Sequence, residues 1–142
     1  MKIYVAGMYD AAAEVRAAQA LVCAAGHVIT YDWTVNHIPA DTDPATIRKL
    51  RQQFADLDLE GVKTADVVVA LFTNPCYPYR GTFTEIGCAL GLGKCVMAVC
   101  PDYCRYLESG NEEPAYATNC FFNASRVVHC PSVEAVLPLL AA

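Results

Sequence analysis

Short apolar runs alternate along this chain with longer segments in which apolar residues recur every three or four positions. The first pattern is typical of buried strands, and the second is typical of helices that cover a sheet. The pattern predicts five strands, at Lys2–Ala6, Val28–Tyr31, Asp66–Phe72, Cys95–Val99 and Val127–His129. It predicts helices at Ala11–Ala25 after an Asp10 cap, from Pro44 after an Asp43 cap, at Gly81–Gly93, and from a Ser132 cap to Leu140. The segment from Pro101 to Thr118 is predicted to be irregular, with one helical turn near Tyr103 to Glu108.

Strands that alternate with helices favour a parallel sheet that is covered on both faces. We therefore predict an α/β fold of the flavodoxin or Rossmann type, a three-layer sandwich around a five-stranded parallel sheet in the order 2-1-3-4-5. No linker or internal repeat divides the sequence, so residues 1–142 are predicted to form one domain. In such a sheet the ligand crevice lies beyond the carboxyl ends of the strands, where their order reverses. The loops at Gly7–Asp10 and Thr73–Gly81 are expected to border this crevice.

The predicted helix at Gly81–Gly93 carries one carboxylate, Glu85, among apolar neighbours. An unpaired buried charge is costly, so a carboxylate at this position needs a reason. A place in the first helical turn, near free N–H groups and the positive end of the helix dipole, would favour the ionised side chain. We therefore interpret Glu85 as an anion in a dry site, suited to act as a nucleophile or to accept hydrogen bonds from sugar hydroxyls.

Two further residues could complete such a site. Asp58 follows Phe54 by four positions on the apolar stripe of the second predicted helix, which places it at the edge of the buried face. The alternative for Asp58 is a boundary carboxylate that faces water. Tyr4 lies in the first strand beside the crevice, where it is either an ordinary core aromatic or a hydrogen-bond donor that holds Glu85. Three loop aromatics could stack on a planar base: Trp33, Tyr77 and Tyr79.

The composition excludes several classes of protein. Hydrophobic residues make up 55% of the chain and charged residues 18%, which excludes disorder. The net charge of −5 argues against a nucleic-acid binder, and no apolar run reaches the ~20 residues that span a bilayer. The eight cysteines include no Cys-x-x-Cys pair and no signal-peptide pattern follows Met1, so we expect reduced thiols in a cytoplasmic protein. Scattered histidines and the absence of dinucleotide, phosphate-loop and serine-hydrolase motifs predict that no metal or cofactor is used.

Three blocks of the sequence are similar to a known family. Ile3–Gly7, Asp58–Asp66 and Gly81–Ala89 resemble the nucleoside 2-deoxyribosyltransferases and the related 2′-deoxynucleoside 5′-phosphate N-hydrolases. The resemblance extends over roughly residues 1 to 100. It implies that Glu85 attacks the anomeric carbon of a sugar, that Asp58 assists protonation of the leaving base, and that Tyr4 orients Glu85. This is the logic of a glycosidase with a carboxylate nucleophile.

The resemblance also implies a substrate-binding set that comprises Gly7, Met8, Tyr9, Trp33, Tyr79, Gly81, Thr82 and, from a neighbouring subunit of a homodimer or larger homo-oligomer, Asn119. The implied substrate is a nucleoside or nucleotide whose sugar passes to an acceptor base. Hydrolysis of nucleoside 5′-monophosphates and a non-catalytic nucleotide-binding module are the alternatives. Tyr79 stands where the transferases carry a second base-binding carboxylate and the hydrolases a phosphate-binding serine, and the first loop lacks the hydrolases' arginine. Both departures favour a nucleoside or an unusual nucleotide.

Overall fold

Five parallel strands form the central sheet in the computed structural model, which describes all of residues 1–142. The strands are β1 (Lys2–Ala6), β2 (Val28–Ile29), β3 (Val67–Leu71), β4 (Cys95–Val99) and β5 (Val127–Cys130). Their order across the sheet is β2-β1-β3-β4-β5, which confirms the predicted order and the parallel pairing. β3 lies at the centre of the sheet and all of its residues are buried, as expected for a strand that is covered on both faces.

Five helices cover the sheet: α1 (Ala12–Ala24), α2 (Pro44–Thr64), α3 (Arg80–Gly91), α4 (Pro101–Ser109) and α5 (Val133–Ala141). Helix α2 packs on α3 and α1 packs on α5, which gives the two outer layers of the sandwich. Asp43 caps α2 by accepting a hydrogen bond from the Thr46 N–H at 2.9 Å, and the Ser132 side chain caps α5. Both predicted caps are therefore confirmed. None of the helices combines the length and the hydrophobicity needed to cross a membrane.

Three elements differ from the prediction. Asp10 does not cap α1, because a 3₁₀ turn at Tyr9–Ala11 precedes the helix and leaves Ala11 at its N-cap. Strand β2 is shorter than predicted and holds only two residues. Helix α4 forms where irregular chain was predicted: Pro101 begins it, and Gly110, with a φ of +66°, ends it. None of the α4 residues is fully buried, and its apolar side chains, Tyr103 and Cys104 among them, pack only partly against the core.

An aromatic cluster at the carboxyl end of β3 holds the loop that leads into α3. The ring centroid of Phe72 lies 4.8 Å from those of both Tyr79 and Tyr116. The Tyr79 hydroxyl accepts hydrogen bonds from the Thr73 and Asn74 N–H groups, each at 2.8 Å. These contacts hold Tyr79 in a left-handed conformation with a φ of +51°. Because Tyr79 is fully buried, its ring packs in the core and cannot stack on a base, contrary to the sequence-based expectation.

Candidate active site

A cavity of about 220 Å³ lies at the carboxyl ends of β1 and β3, where the strand order reverses. The loop after β1 forms one wall, and the start of α3 forms another. The lining residues are Gly7, Met8, Tyr9, Trp33, Asp58, Tyr77, Tyr79, Gly81, Thr82 and Glu85. This is where the topology of a doubly wound parallel sheet places a ligand.

The hydroxyl of Tyr4 donates a hydrogen bond to Glu85 Oε1 at 2.7 Å. Tyr4 is fully buried in β1, and its backbone pairs with Val68 in β3, so the hydroxyl has a fixed position behind the cavity. Burial and the adjacent Glu85 carboxylate raise the pKa of Tyr4 far above its usual value. Tyr4 therefore keeps its proton and remains a hydrogen-bond donor to Glu85.

The surroundings of Glu85 differ from those expected from the sequence. Helix α3 begins at Arg80, so Glu85 lies in the second turn, and its carboxylate accepts no hydrogen bond from a backbone N–H. Burial raises the pKa of Glu85 to about 8, the hydrogen bond from Tyr4 opposes this rise, and the charge of Asp58 adds to it. The prediction that Glu85 is an anion stabilised by helix N–H groups is therefore wrong. The free site favours the protonated carboxyl near neutral pH.

Asp58 faces the same cavity from α2 and is half-buried, so the water-facing alternative does not hold. Its Oδ1 atom is buried and has no hydrogen-bond partner in the chain. Burial raises the pKa of Asp58 to about 6, and the nearby Tyr4 hydroxyl partly opposes this rise. A carboxyl that titrates near neutrality, with an unpartnered oxygen in a cavity, can pass a proton to or from a bound molecule.

A second cavity of about 280 Å³ adjoins the first and shares three of its lining residues, Tyr9, Trp33 and Asp58. The two cavities are the lobes of one cleft, which we call the Glu85 lobe and the Phe54 lobe. The other residues that line the Phe54 lobe are Asn36, Ile38 and Phe54. The sequence analysis assigned none of these three to the site. The available signal was that Phe54 precedes Asp58 by one helical turn and so shares its face of α2.

Two contacts fix the wall of the cleft at the carboxyl end of β1. A Cβ atom on Gly7 would lie 2.7 Å from Val15 Cγ2, so only glycine lets this loop pass α1 so closely. The Trp33 indole is buried and its Nε1 donates to the Val5 carbonyl oxygen at 2.8 Å, which makes Trp33 a fixed part of the wall. Tyr9 is 62% exposed at the mouth, where its ring is free to contact a ligand.

Every predicted substrate-binding residue lines the Glu85 lobe except Asn119. Asn119 instead caps the 3₁₀ turn at Cys120–Asn123, where its Oδ1 accepts a hydrogen bond from the Phe121 N–H at 2.9 Å. Within one copy of the chain Asn119 therefore belongs to a different part of the surface. A role for it in the cleft requires a second copy.

Three solved structures share this fold. A 2-deoxyribosyltransferase from Bacillus psychrosaccharolyticus has a TM-score of 0.69 and 21% identity, and the match covers 96% of this chain and 90% of that chain. A CMP N-glycosidase from Clostridium botulinum has a TM-score of 0.54 and 19% identity over 100% of both chains. A 2-deoxyribosyltransferase from Leishmania mexicana has a TM-score of 0.57 and 20% identity over 98% of this chain and 95% of that chain.

Sequence comparison identifies the family. No curated protein sequence matches the chain. The family model for nucleoside 2-deoxyribosyltransferase, however, matches residues 3–127, which include the whole cleft. The chain therefore belongs to the nucleoside 2-deoxyribosyltransferase family and is an enzyme.

Proposed function

We propose that this enzyme cleaves the N-glycosidic bond of a 2′-deoxynucleoside with Glu85 as the nucleophile and transfers the sugar to a second base. The observation that carries the proposal is the convergence of Tyr4, Glu85 and Asp58 at one cavity. One carboxyl can attack the sugar while the other serves the leaving base, which is the division of labour in retaining glycosidases. The fixed Tyr4 hydroxyl orients the attacking carboxylate.

The proposed reaction has two halves, in which the sugar moves first to Glu85 and then to the incoming base. An oxygen of deprotonated Glu85 forms a bond to C1′ as the bond between C1′ and the base nitrogen breaks, and Asp58 gives its proton to the departing base. The incoming base then forms a new bond between its nitrogen and C1′, the ester to Glu85 breaks, and Asp58 takes the proton from that nitrogen. Asp58 acts as an acid in one direction and a base in the other, which its pKa of about 6 allows.

The charge of the cleft supports an unphosphorylated substrate. Neither lobe is lined by a lysine or an arginine, and the only charged groups that line them are Asp58 and Glu85. A phosphate dianion would therefore lie near two carboxyls with no cation to pair with, an arrangement in which desolvation is not offset. We accordingly propose nucleosides as substrates in preference to nucleoside 5′-monophosphates.

Hydrolysis is the second candidate outcome, because the same fold carries the CMP N-glycosidase of Clostridium botulinum. Chromatography of the products separates the candidates. The protein is incubated with a 2′-deoxynucleoside, with and without a different acceptor base. A new nucleoside that requires the acceptor supports transfer, whereas free base and free sugar in both reactions support hydrolysis. A nucleoside that binds and is never cleaved contradicts both and leaves a binding module.

The covalent step has its own test. Acid quenching during turnover followed by mass spectrometry of the intact chain is expected to show a deoxyribosyl adduct, and digestion is expected to place it on the peptide with Glu85. The Glu85→Gln variant should show none. An adduct on another residue, or turnover by that variant, would contradict the assignment of the nucleophile.

We also propose that two copies of the chain complete the cleft. Only Gly61 and Val62 of α2 are buried, and Leu57 and Leu59 leave apolar surface exposed close to Asp58. Exposed apolar surface of this kind is typical of an interface between copies. Light scattering is expected to give a dimer or larger assembly. A fully active monomer would contradict the shared site and the role of Asn119.

A further inference from the structure

The Phe54 lobe has a far end with one hydrogen-bonding side chain. Tyr9, Trp33 and Asp58 line both lobes and so form the junction between them. The residues that line only the Phe54 lobe therefore lie beyond this junction as seen from Glu85, and these are Asn36, Ile38 and Phe54. Of these three, only Asn36 can form a hydrogen bond with a ligand. A flat ligand that enters this lobe meets apolar side chains and one amide.

The orientation of the Asn36 amide is fixed by a neighbour. The Tyr31 hydroxyl donates a hydrogen bond to Asn36 Oδ1 at 2.6 Å. The backbone N–H of Asn36 also donates to the Trp33 carbonyl oxygen at 3.0 Å, which holds the main chain. The amide oxygen is thus occupied, and the Nδ2 group makes no hydrogen bond within the chain. What Asn36 offers to a ligand is an N–H donor.

The proposed function sets how a base would enter the lobe. A nucleoside with C1′ beside Glu85 has its glycosidic nitrogen near Asp58, at the junction of the lobes. The base then extends toward Asn36, so that the edge opposite its glycosidic nitrogen faces the Asn36 amide. This edge carries the exocyclic group at position 6 of a purine or position 4 of a pyrimidine. That group is a carbonyl oxygen in one class of bases and an amino group in the other.

We propose that Asn36 selects bases with a carbonyl oxygen at this edge, namely 6-oxopurines and 4-oxopyrimidines, an inference that rests on the proposed function. The Nδ2 group donates a hydrogen bond to such an oxygen. An exocyclic amino group would instead face Nδ2 donor against donor, and both groups would lose their hydrogen bonds to water without compensation. Tyr31 acts as a positioning residue, because it decides which end of the amide faces the base.

The test compares kcat/KM for base release from two pairs of substrates, 2′-deoxyinosine with 2′-deoxyadenosine and 2′-deoxyuridine with 2′-deoxycytidine. The wild type is expected to favour the oxo member of each pair by about tenfold, the effect of one hydrogen bond in a partly open site. Asn36→Asp should reverse the preference, because a carboxylate oxygen accepts from the amino group and repels the carbonyl. Tyr31→Phe should move both ratios toward one, since the amide is then free to turn.

A matched control is Asn111→Asp, which adds the same charge at an exposed position outside the cleft. Its ratios are expected to equal those of the wild type. An amino preference in the wild type, or ratios that Asn36→Asp leaves unchanged, would overturn the proposal.

Calorimetric binding of the same four nucleosides to the Glu85→Gln variant separates this proposal from the proposed function. If no base is released from any nucleoside by the wild type, the proposed function fails. The oxo preference in binding still decides the role of Asn36, because binding does not require turnover. Equal affinities within both pairs would overturn the role of Asn36 even if the wild type turns these nucleosides over.

Discussion

The ring of Tyr4 packs against the backbone of Gly61 so closely that a Cβ atom on Gly61 would lie 2.8 Å from Tyr4 Cδ2. The Thr30 hydroxyl donates to the Gly61 carbonyl oxygen at 2.8 Å and holds α2 against the sheet at this point. Asp58 lies one helical turn before Gly61 on the same face of α2. The absence of a side chain at position 61 therefore sets where the Tyr4 ring lies, and with it where the Tyr4 hydroxyl lies relative to Glu85 and Asp58.

Gly61→Ala is accordingly expected to lower kcat at least tenfold, and to cost about 1–3 kcal/mol of unfolding free energy through overpacking. Gly91→Ala on α3 is the matched control, because a Cβ atom there meets nothing within 4 Å. This variant should keep full activity and gain about 0.5–1 kcal/mol of unfolding free energy, since alanine favours the helix. Chemical denaturation and steady-state kinetics measure both effects.

A double-mutant cycle separates the effect of Gly61→Ala on the geometry of the site from its effect on stability. If Gly61 acts by placing the Tyr4 hydroxyl, Gly61→Ala should reduce kcat much less in a Tyr4→Phe background than in the wild type. The loss of stability should be similar in both backgrounds, because phenylalanine keeps the ring that the new methyl group meets. Additive losses in kcat would show that Gly61 is only a packing residue.

Glu85→Gln is expected to abolish turnover and to stabilise the protein at alkaline pH. The folded pKa of about 8 exceeds the ordinary value of 4.5, so the folded state binds the proton more tightly than the unfolded chain. The free energy of unfolding therefore falls as pH rises from about 4.5 through 8. Glutamine resembles the protonated form and avoids this loss.

The difference in melting temperature between Glu85→Gln and the wild type should consequently be small at pH 5 and large at pH 8.5. We expect a gain of roughly 2 kcal/mol in unfolding free energy at the higher pH, less than the full shift in pKa implies, because local relaxation and water entry lower the cost of a buried charge. Thr84→Val, on the exposed side of α3, is the control and should show no such change with pH. A variant that is less stable than the wild type at pH 8.5 would mean that the carboxylate is structural.

The pH dependence of kcat/KM should be bell-shaped, with limbs near pH 6 and pH 8. The reaction needs deprotonated Glu85 and protonated Asp58, whose pKa values are about 8 and about 6. The pair therefore reacts while it holds one proton, and activity falls when it gains a second or loses its last. The reactive arrangement is the less populated one, because the shared proton favours Glu85.

Asp58→Asn tests this assignment. With no proton donor at position 58, only Glu85 must titrate, so the profile should become a single rise with pH. The midpoint of that rise should lie below pH 8, because the charge of Asp58 no longer raises the pKa of Glu85. The plateau should be about 100-fold lower than the wild-type maximum, as is typical when a general acid is removed. A bell-shaped profile that persists in this variant would place the acid elsewhere.

The fold could be predicted from the sequence because its signals are local. The apolar run of β3 and the caps at Asp43 and Ser132 are each complete within a few neighbouring residues. Helix α4 was missed because it is short and its apolar side chains, such as Tyr103 and Cys104, are only partly buried against the core. The packing of α4 depends on residues far along the chain, such as Phe122 against Tyr103, and neighbouring residues do not show it.

The chemistry of the site depends on contacts between distant parts of the chain, and there the sequence was less informative. The pattern identified Glu85 as an unusual carboxylate. Its raised pKa, however, comes from burial and from the charge of Asp58, and both depend on parts of the chain outside α3. The close contact between Gly61 and Tyr4 involves residues in α2 and β1 that are far apart in sequence, so no local pattern predicts it. Tyr79 lies in a loop by sequence, yet the Phe72 cluster makes it part of the core.

The charge of the cleft gives a final prediction about the 5′ group of the substrate. With no lysine or arginine in either lobe, we expect kcat/KM for a 2′-deoxynucleoside to exceed that for its 5′-monophosphate by at least about 100-fold. Met8 lines the Glu85 lobe on the loop after β1, and Met8→Arg places a cation there. This variant should narrow the ratio about tenfold, because the guanidinium can pair with phosphate oxygens. Met8→Gln, of similar length and without charge, should leave the ratio unchanged. A wild type that prefers the monophosphate would contradict the choice of nucleosides as substrates.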